Sequence, residues 1–147
     1  MSWESILSFE QLLQLFKTSE FCKRIHGNQT RKYNLEPYYL HPQRVANILI
    51  AGGVNNIETL QAALLHDSLE DTKVSKEEIK SIFGAKVLKI VEDVTNQDNG
   101  EPKLNTREGL LIKLADMIDN VKDSPNEIYI KKKRDNIVRW MHEKKIN

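Results

Sequence analysis

The stretch Ala62-Ala63-Leu64-Leu65-His66-Asp67-Ser68-Leu69-Glu70-Asp71-Thr72 decides how this chain is interpreted, because apolar residues run directly into ionisable ones. In a helix, residues four positions apart lie one turn apart on the same face, so His66 pairs with Glu70 and Asp67 with Asp71. A soluble protein rarely places such groups at the end of an apolar helix unless something binds there. We therefore expect a metal or proton-transfer site here, the alternative being a solvated helix end.

The composition is that of one globular domain, with 39% hydrophobic and 29% charged residues in a chain of 147. Its 22 basic and 21 acidic residues give a net charge of +1, which argues against a dedicated nucleic-acid or membrane-surface protein. The basic run 131–134 is expected to be a solvated helix surface. Cys22 is the only cysteine, so an intrachain disulfide is excluded and a cytoplasmic location is expected. No apolar run has membrane-spanning length.

Helical periodicity dominates the chain, and the period-two alternation of strands is nearly absent. We therefore predict an all-α domain of about seven helices. The predicted helices run from Ile6 to about Gly27, from Pro42 to Gly52, from Ile57 to about Leu69, from Ser75 to Gly84, around Val87 to Val94, from about Thr106 to Val121, and from Ser124-Pro125 to the region of Met141.

One histidine and one aspartate do not complete a metal site, so further ligands are needed. His66 and Asp67 diverge by about 100° around a helix, but both can reach one ion at a break or bend. Their nitrogen and oxygen donors suit a borderline divalent cation such as Mn, Fe, Co or Zn. His41, before Pro42, and Asp116, inside an apolar helix, are the best further candidates, giving ligands from three helices. Read alone, His41 is more often a capping histidine and Asp116 a buried, paired carboxylate.

Three motifs in order carry a resemblance to a known family. They are Pro37 to Pro42 in the form PY-x-x-HP, His66 to Asp71 in the form HD-x-x-ED, and the tetrapeptide Lys113-Leu114-Ala115-Asp116. With them, the chain resembles the HD-domain superfamily of metal-dependent phosphohydrolases. More narrowly, it is similar to the small alarmone hydrolases, related to the hydrolase domain of RelA/SpoT enzymes and to Mesh1-type proteins. A lone HD dipeptide is weak, whereas the ordered set is much more specific.

The resemblance implies a single helical bundle of the HD-domain type over residues 1–147, binding a small nucleotide and no nucleic acid or membrane. It implies removal of the 3′-pyrophosphate of (p)ppGpp, and degradation only, because no synthetase domain follows. The implied roles are Mn²⁺ ligands for His41, His66, Asp67 and Asp116, catalytic acids and bases for Glu70 and Asp71, and substrate contacts for Arg31, Lys32 and Asn120.

Other readings stay open at this point. An HD phosphohydrolase could act on another nucleotide, such as NADPH at its 2′-phosphate or a nucleoside phosphate. An idle nucleotide-binding HD module is a further alternative, although the intact pair Glu70 and Asp71 argues against it. Asp119 stands where relatives often carry His or Tyr, and we expect it to be solvated. His26 is expected to be structural or to support a ligand.

Overall fold

The computed structural model describes residues 7–124 and 126–144, apart from the side chain of Asp123. Within these ranges every regular element is a helix, and the only β pairing is an isolated bridge between Thr30 and Pro37, which confirms the all-α prediction. The helices are α1 (Phe9–His26), α2 (Leu40–Ala51), α3 (Ile57–Leu64), α4 (Ser68–Asp71), α5 (Lys76–Phe83), α6 (Ala85–Val94), α7 (Arg107–Asp123) and α8 (Glu127–Glu143).

Helix α1 begins with a capping box, in which the side chains of Ser8 and Gln11 each accept from the other's backbone N–H. The predicted start at Ile6 lies outside the described residues. The helix ends at Gly27, as predicted, where the backbone has a positive φ of 55°. Phe9, Leu13 and Phe16 in the first half of the helix remain exposed, and its buried residues lie in the second half: Thr18, Phe21, Cys22 and His26.

Helix α2 begins two residues before the predicted start at Pro42. It opens at Leu40, so Pro42 occupies its third position. This is compatible with proline because the first N–H groups of a helix have no partner inside the helix. The earlier start carries His41 into the first turn, where its side chain is only 1% exposed.

The predicted helix from Ile57 to about Leu69 is interrupted, which accounts for the eighth helix. Residues 65–67 form a turn between α3 and α4. Two side chains take backbone carbonyls there: Ser68 Oγ donates to the oxygen of Leu65 at 2.6 Å, and His66 Nδ1 lies 2.7 Å from the oxygen of Ala63. Such local bonds compete with the helical ladder. The break is the bend that lets His66 and Asp67 face the same point.

The start of α7 is fixed by a buried carboxylate on α6. Asp93 is 5% exposed and accepts from the backbone N–H of Asn105 at 2.7 Å and from the hydroxyl of Thr106 at 2.7 Å. Thr106 in turn caps α7 by accepting from the N–H of Gly109 at 2.9 Å. These hydrogen bonds fix the N-terminal end of α7 relative to α6, and therefore the position of Asp116 along α7.

The core surrounds α3, which packs against α1, α2, α6 and α7. Leu60, Ala62 and Ala63 on α3 are completely buried, so the apolar half of the opening stretch forms the centre of the molecule. Helix α8 begins at Glu127 and closes one side with Trp140, so it starts later than the predicted Ser124-Pro125. Ser124 is the C-cap of α7, and Pro125 lies outside the described residues. Among the helices described, none is long and apolar enough to span a membrane.

Candidate metal centre

Four side chains from three parts of the chain converge on one point. They are His41 on α2, His66 and Asp67 in the turn after α3, and Asp116 on α7, and one ligand atom from each lies within 4.8 Å of all the others. His41 Nε2 is 2.7 Å from Asp116 Oδ1. His66 Nε2 is 3.0 Å from Asp67 Oδ2 and 3.3 Å from Asp116 Oδ1. The structure thus brings together all four sequence-predicted ligands.

Both imidazoles are held by their other ring nitrogen. His66 Nδ1 donates to the backbone oxygen of Ala63, and His41 Nδ1 donates to Asp119 Oδ2, each at 2.7 Å. This leaves Nε2 of both rings directed at the carboxylates of the cluster. Metal-binding histidines are ordinarily arranged in this way, because a partner at one nitrogen fixes the tautomer and the ring orientation. Two imidazole nitrogens and two carboxylate oxygens fit a divalent metal ion.

The charges of the cluster also favour a cation. Burial alone would raise the pKa of Asp116, but hydrogen bonds from His41 and His66 hold it well below the usual range. Asp67 is partly buried, which opposes its ionisation, but its contact with His66 lowers its pKa to about 2. Burial alone would lower the pKa of His66, yet Asp67 and Asp116 raise it well above its ordinary value. The two carboxylates are therefore ionised and draw positive charge into a buried position.

A tyrosine absent from the predicted site orients one of the ligands. Tyr38 donates its hydroxyl to Asp67 Oδ2 at 2.5 Å. Its ring packs against His26, with centroids 5.0 Å apart, and against His41, at 5.8 Å. Burial raises the pKa of Tyr38, so the phenol remains a hydrogen-bond donor. His26 lies behind this ring, outside the ligand group, and its Nδ1 is 3.0 Å from Gln29 Oε1.

Asp119 is buried, so the expectation that it is solvated is wrong. Its side chain is 1% exposed, with Oδ2 against His41 and Oδ1 accepting from Arg44 Nε at 2.8 Å. Burial opposes ionisation of Asp119, but these two partners lower its pKa to about 2. Arg44 Nη2 also donates to Glu36 Oε1 at 2.5 Å. Asp119 lies three residues after Asp116 and therefore on the same helix face, and this spacing is the sequence feature that could have indicated its burial.

The comparisons with known proteins agree with this geometry. The profile of the family described as "HD domain" matches residues 18–108 of the chain. The chain belongs to the HD-domain family. Human MESH1, named guanosine-3′,5′-bis(diphosphate) 3′-pyrophosphohydrolase, is 40% identical over 75% of this chain and 69% of its own length. The protein of the same enzyme name from Aquifex aeolicus is 42% identical over 74% of this chain, which spans only 17% of that protein.

A solved structure has the same architecture. It is described as a metazoan ortholog of SpoT that hydrolyzes ppGpp, and it superposes with a TM-score of 0.71 at 28% identity. The match covers 84% of this chain and 85% of the other. The HD-domain fold expected from the three ordered motifs is thereby confirmed.

The predicted catalytic pair lies on α4, one turn beyond the HD dipeptide. Neither Glu70 nor Asp71 belongs to the group of clustered ligands found among the described residues. Glu70 is exposed and accepts from the backbone N–H of Asn96 at 2.5 Å, which ties α4 to the loop after α6. Partial burial and the neighbouring Asp67 raise the pKa of Asp71. The two carboxyl groups thus have different environments.

Two of the three predicted substrate residues lie against the four-residue metal cluster, here called the HD-domain cluster: His41, His66, Asp67 and Asp116. Asn120 Nδ2 donates to Asp116 Oδ1 at 3.1 Å, and Arg31 Nη2 donates to Asn120 Oδ1 at 3.2 Å. The whole of Arg31 is only 8% exposed. Lys32 is exposed, with its Nζ 5.7 Å from the ring centroid of Tyr33, and no described contact joins it to the cluster.

Two lysines that the sequence interpretation left out lie near the same cluster. Lys113 Nζ is 3.3 Å from Asp116 Oδ2. On α8, Lys133 lies over the ring of Tyr129, 5.2 Å from its centroid, and burial together with the charge of Lys113 lowers its pKa. Lys133 is partly buried, unlike its neighbours in the run 131–134, so the expectation of a wholly solvated run is wrong at this position. The HD-domain cluster therefore has basic groups on α7 and α8.

Proposed function

We propose that this chain is a Mn²⁺-dependent (p)ppGpp 3′-pyrophosphohydrolase that acts in the cytoplasm, with residues 1–147 forming a single HD-type hydrolase domain. The observation that carries the proposal is the four-ligand cluster, with Glu70 and Asp71 one turn beyond it and outside it. The relatives named as guanosine-3′,5′-bis(diphosphate) 3′-pyrophosphohydrolases support the choice of substrate.

The metal ligands in this proposal are His41, His66, Asp67 and Asp116. Equal numbers of imidazole and carboxylate donors, without a thiolate, favour Mn²⁺ among the borderline divalent ions. When bound, such an ion lowers the pKa of water and offsets negative charge on a phosphoryl oxygen. The protein's part is to hold four ligands, from two helices and the turn after α3, at one point.

Glu70 and Asp71 divide the proton transfers in this proposal. Hydrolysis forms a bond from the water oxygen to phosphorus and breaks the bond from phosphorus to the 3′ oxygen of the nucleotide. Glu70, as a carboxylate, accepts the proton of the attacking water. Asp71, whose pKa is raised by burial and by Asp67, keeps a proton to higher pH and donates one to the departing 3′ oxygen. The products are GDP or GTP and pyrophosphate.

The basic groups around the cluster suit a substrate with several phosphates. Arg31 and Asn120 contact the nucleotide at the side of Asp116, and Lys113 and Lys133 offset charge on the phosphates. Lys32, which is exposed, makes the outer contact when the substrate is bound. A small-molecule nucleotide is the partner that this set of groups predicts.

The test is a substrate panel with product identification. Purified protein loaded with Mn²⁺ is incubated separately with ppGpp, pppGpp, NADPH and nucleoside monophosphates, and pyrophosphate and orthophosphate are measured independently. The proposal predicts pyrophosphate from ppGpp and pppGpp. Orthophosphate from NADPH alone would assign the chain to the alternative HD phosphohydrolases. A folded, metal-loaded protein that releases neither product from any of these substrates would contradict enzymatic function.

A further inference from the structure

A chain of charged groups links the buried metal cluster to the protein surface at Arg44 of α2 and Glu36 of the preceding loop. His41 contacts Asp119 through Nδ1, Asp119 contacts Arg44, and Arg44 contacts Glu36, with distances of 2.7, 2.8 and 2.5 Å. The exposure of these side chains falls inward, from 27% for Glu36 and 30% for Arg44 to 1% for Asp119 and for His41. None of the roles assigned above uses Asp119, Arg44 or Glu36.

We propose that Asp119, held in place by Arg44, is a positioning residue that sets the metal affinity of the site through His41. The inference rests on the proposed metal site, and it does not depend on which nucleotide is the substrate.

Two carboxylates of α7 contact the two ring nitrogens of His41. Asp116 lies 2.7 Å from His41 Nε2, and Asp119, almost one turn further along α7, lies 2.7 Å from His41 Nδ1. Donation from Nδ1–H to an ionised carboxylate fixes the tautomer with a lone pair on Nε2 and makes that nitrogen a stronger donor. By contrast, His66 Nδ1 donates to the neutral backbone oxygen of Ala63. The two histidines are therefore supported differently, and the charged support belongs to His41 alone.

Arg44 gives Asp119 a fixed orientation. Its Nε donates to Oδ1 of Asp119, while Oδ2 of Asp119 faces His41 Nδ1 at 2.7 Å and Arg31 Nη2 at 3.8 Å. A buried carboxylate needs such a partner because an uncompensated charge in the interior is costly. In this proposal Arg44 acts on the metal through two intermediates, Asp119 and His41.

The experiment measures binding of Mn²⁺ alone, by calorimetry and by competition with a chromogenic chelator. Asp119→Ala is expected to weaken binding about 10- to 100-fold, the range seen when a hydrogen-bond partner of a metal-binding histidine is removed. Asp119→Asn keeps an acceptor oxygen and loses the charge, so its Mn²⁺ affinity is expected to lie between those of Asp119→Ala and the parent protein. Arg139→Ala is the control, because Arg139 forms an exposed ion pair with Glu101 at 3.5 Å, away from the cluster.

Arg44→Ala keeps the inference testable if Asp119→Ala does not fold, because Arg44 is partly exposed. It is expected to weaken Mn²⁺ binding about 10-fold, and the double variant is expected to match Asp119→Ala alone, since both changes act on one contact. A purely structural role would lower the melting temperature of the metal-free protein and leave the dissociation constant of the folded protein within about twofold of the parent value. That result in either folded variant would overturn the inference.

Discussion

At the scale of single residues, the centre consists of ligands and the groups that hold them. Tyr38 fixes Asp67, Asp119 fixes His41, and a backbone oxygen fixes His66. The atoms of the proposed ligands are thereby held in place by the protein itself, which would lower the cost of ordering them when an ion binds.

Replacing Glu70 by glutamine tests the division between ligands and catalytic groups. The amide cannot accept the proton of water at neutral pH, so we expect kcat to fall about 10²- to 10⁴-fold. Mn²⁺ affinity should remain unchanged, because Glu70 is outside the ligand group. Steady-state pyrophosphate release and metal titration measure the two quantities. Glu77→Gln, at an exposed position of α5, is the control, and unchanged turnover in Glu70→Gln would remove Glu70 from the mechanism.

Tyr38→Phe removes one hydrogen bond and little volume. Without the phenol donor, Asp67 loses the contact that orients its Oδ2, and we expect Mn²⁺ affinity to fall about 10-fold, as for other groups that support a metal ligand. Tyr39→Phe is the matched control, since Tyr39 is adjacent in sequence and contacts Lys23, away from the cluster. Equal affinities in the two variants, measured by metal titration, would count against a role for Tyr38 in holding Asp67.

Residue chemistry explains which site groups could be predicted from the sequence. His66 and Asp116 interrupt apolar helices, and a buried ionisable group needs a partner, so both are detectable as ligands. Asp119 lacked this signal: its burial comes from Arg44 and His41, which are 75 and 78 positions away in the chain. Lys133 could not be predicted for a different reason: it lies in a basic run that resembles a solvated surface.

At the scale of elements, the break between α3 and α4 is the feature that makes the site possible. The apolar period from Ile57 to Leu69 predicts one continuous helix, and it gives no sign of where hydrogen bonds from Ser68 and His66 end the ladder. An unbroken helix would direct His66 and Asp67 about 100° apart. The turn at 65–67 brings His66 Nε2 and Asp67 Oδ2 to 3.0 Å.

The contact between α6 and α7 predicts a destabilising glycine substitution. A side chain on Gly109 would overlap the carboxylate of Asp93, which is held by bonds to Asn105 and Thr106 and has little room to move. Gly109→Ala should therefore lower the free energy of unfolding by about 1–3 kcal/mol, the cost of overpacking. In a helix without this contact, the same change would raise it by about 1 kcal/mol.

Gly52→Ala is the control for that experiment. Gly52 also has a negative φ, of −81°, and a Cβ there would lie 3.5 Å from the nearest backbone oxygens, an ordinary contact distance. Its effect on stability, measured by urea denaturation, should stay within about 0.5 kcal/mol. If the Gly109→Ala variant proved as stable as the Gly52→Ala variant, Asp93 would not fix the start of α7.

At the scale of the whole molecule, the ligands join segments that are distant in sequence. His41, His66 and Asp116 belong to α2, the turn after α3, and α7, which also pack against one another in the core. A metal ion that bridges them binds the folded state in preference to the unfolded chain. Metal binding and folding are consequently linked.

Removal of the metal should therefore lower the melting temperature. At a free Mn²⁺ concentration of 100 times the dissociation constant, binding adds about 2.7 kcal/mol of stability. Dialysis against a chelator followed by Mn²⁺ addition should lower and then restore the melting temperature in a thermal scan. Asp116→Asn, which removes one ligand charge, should show a much smaller difference between the two states. Equal differences in Asp116→Asn and the parent protein would exclude Asp116 as a ligand.

Much of the overall fold could be predicted because helices are local. The end of α1 at Gly27 and the start of α5 at its capping box with Ser75 depend on neighbouring residues, and the structure has both where the sequence indicates. The exposed apolar face at the start of α1 was not predictable, because the period of Phe9, Leu13 and Phe16 does not reveal whether anything covers them.

The proposed function requires one metal ion at the point where α2, α7 and the turn after α3 meet. The most direct measurement is an anomalous difference map, collected at the manganese absorption edge from crystals of the Mn²⁺-loaded protein. We expect one strong peak within about 2–2.5 Å of Nε2 of His41 and His66 and of carboxylate oxygens of Asp67 and Asp116. A bound manganese peak elsewhere, with this cluster empty, would contradict it.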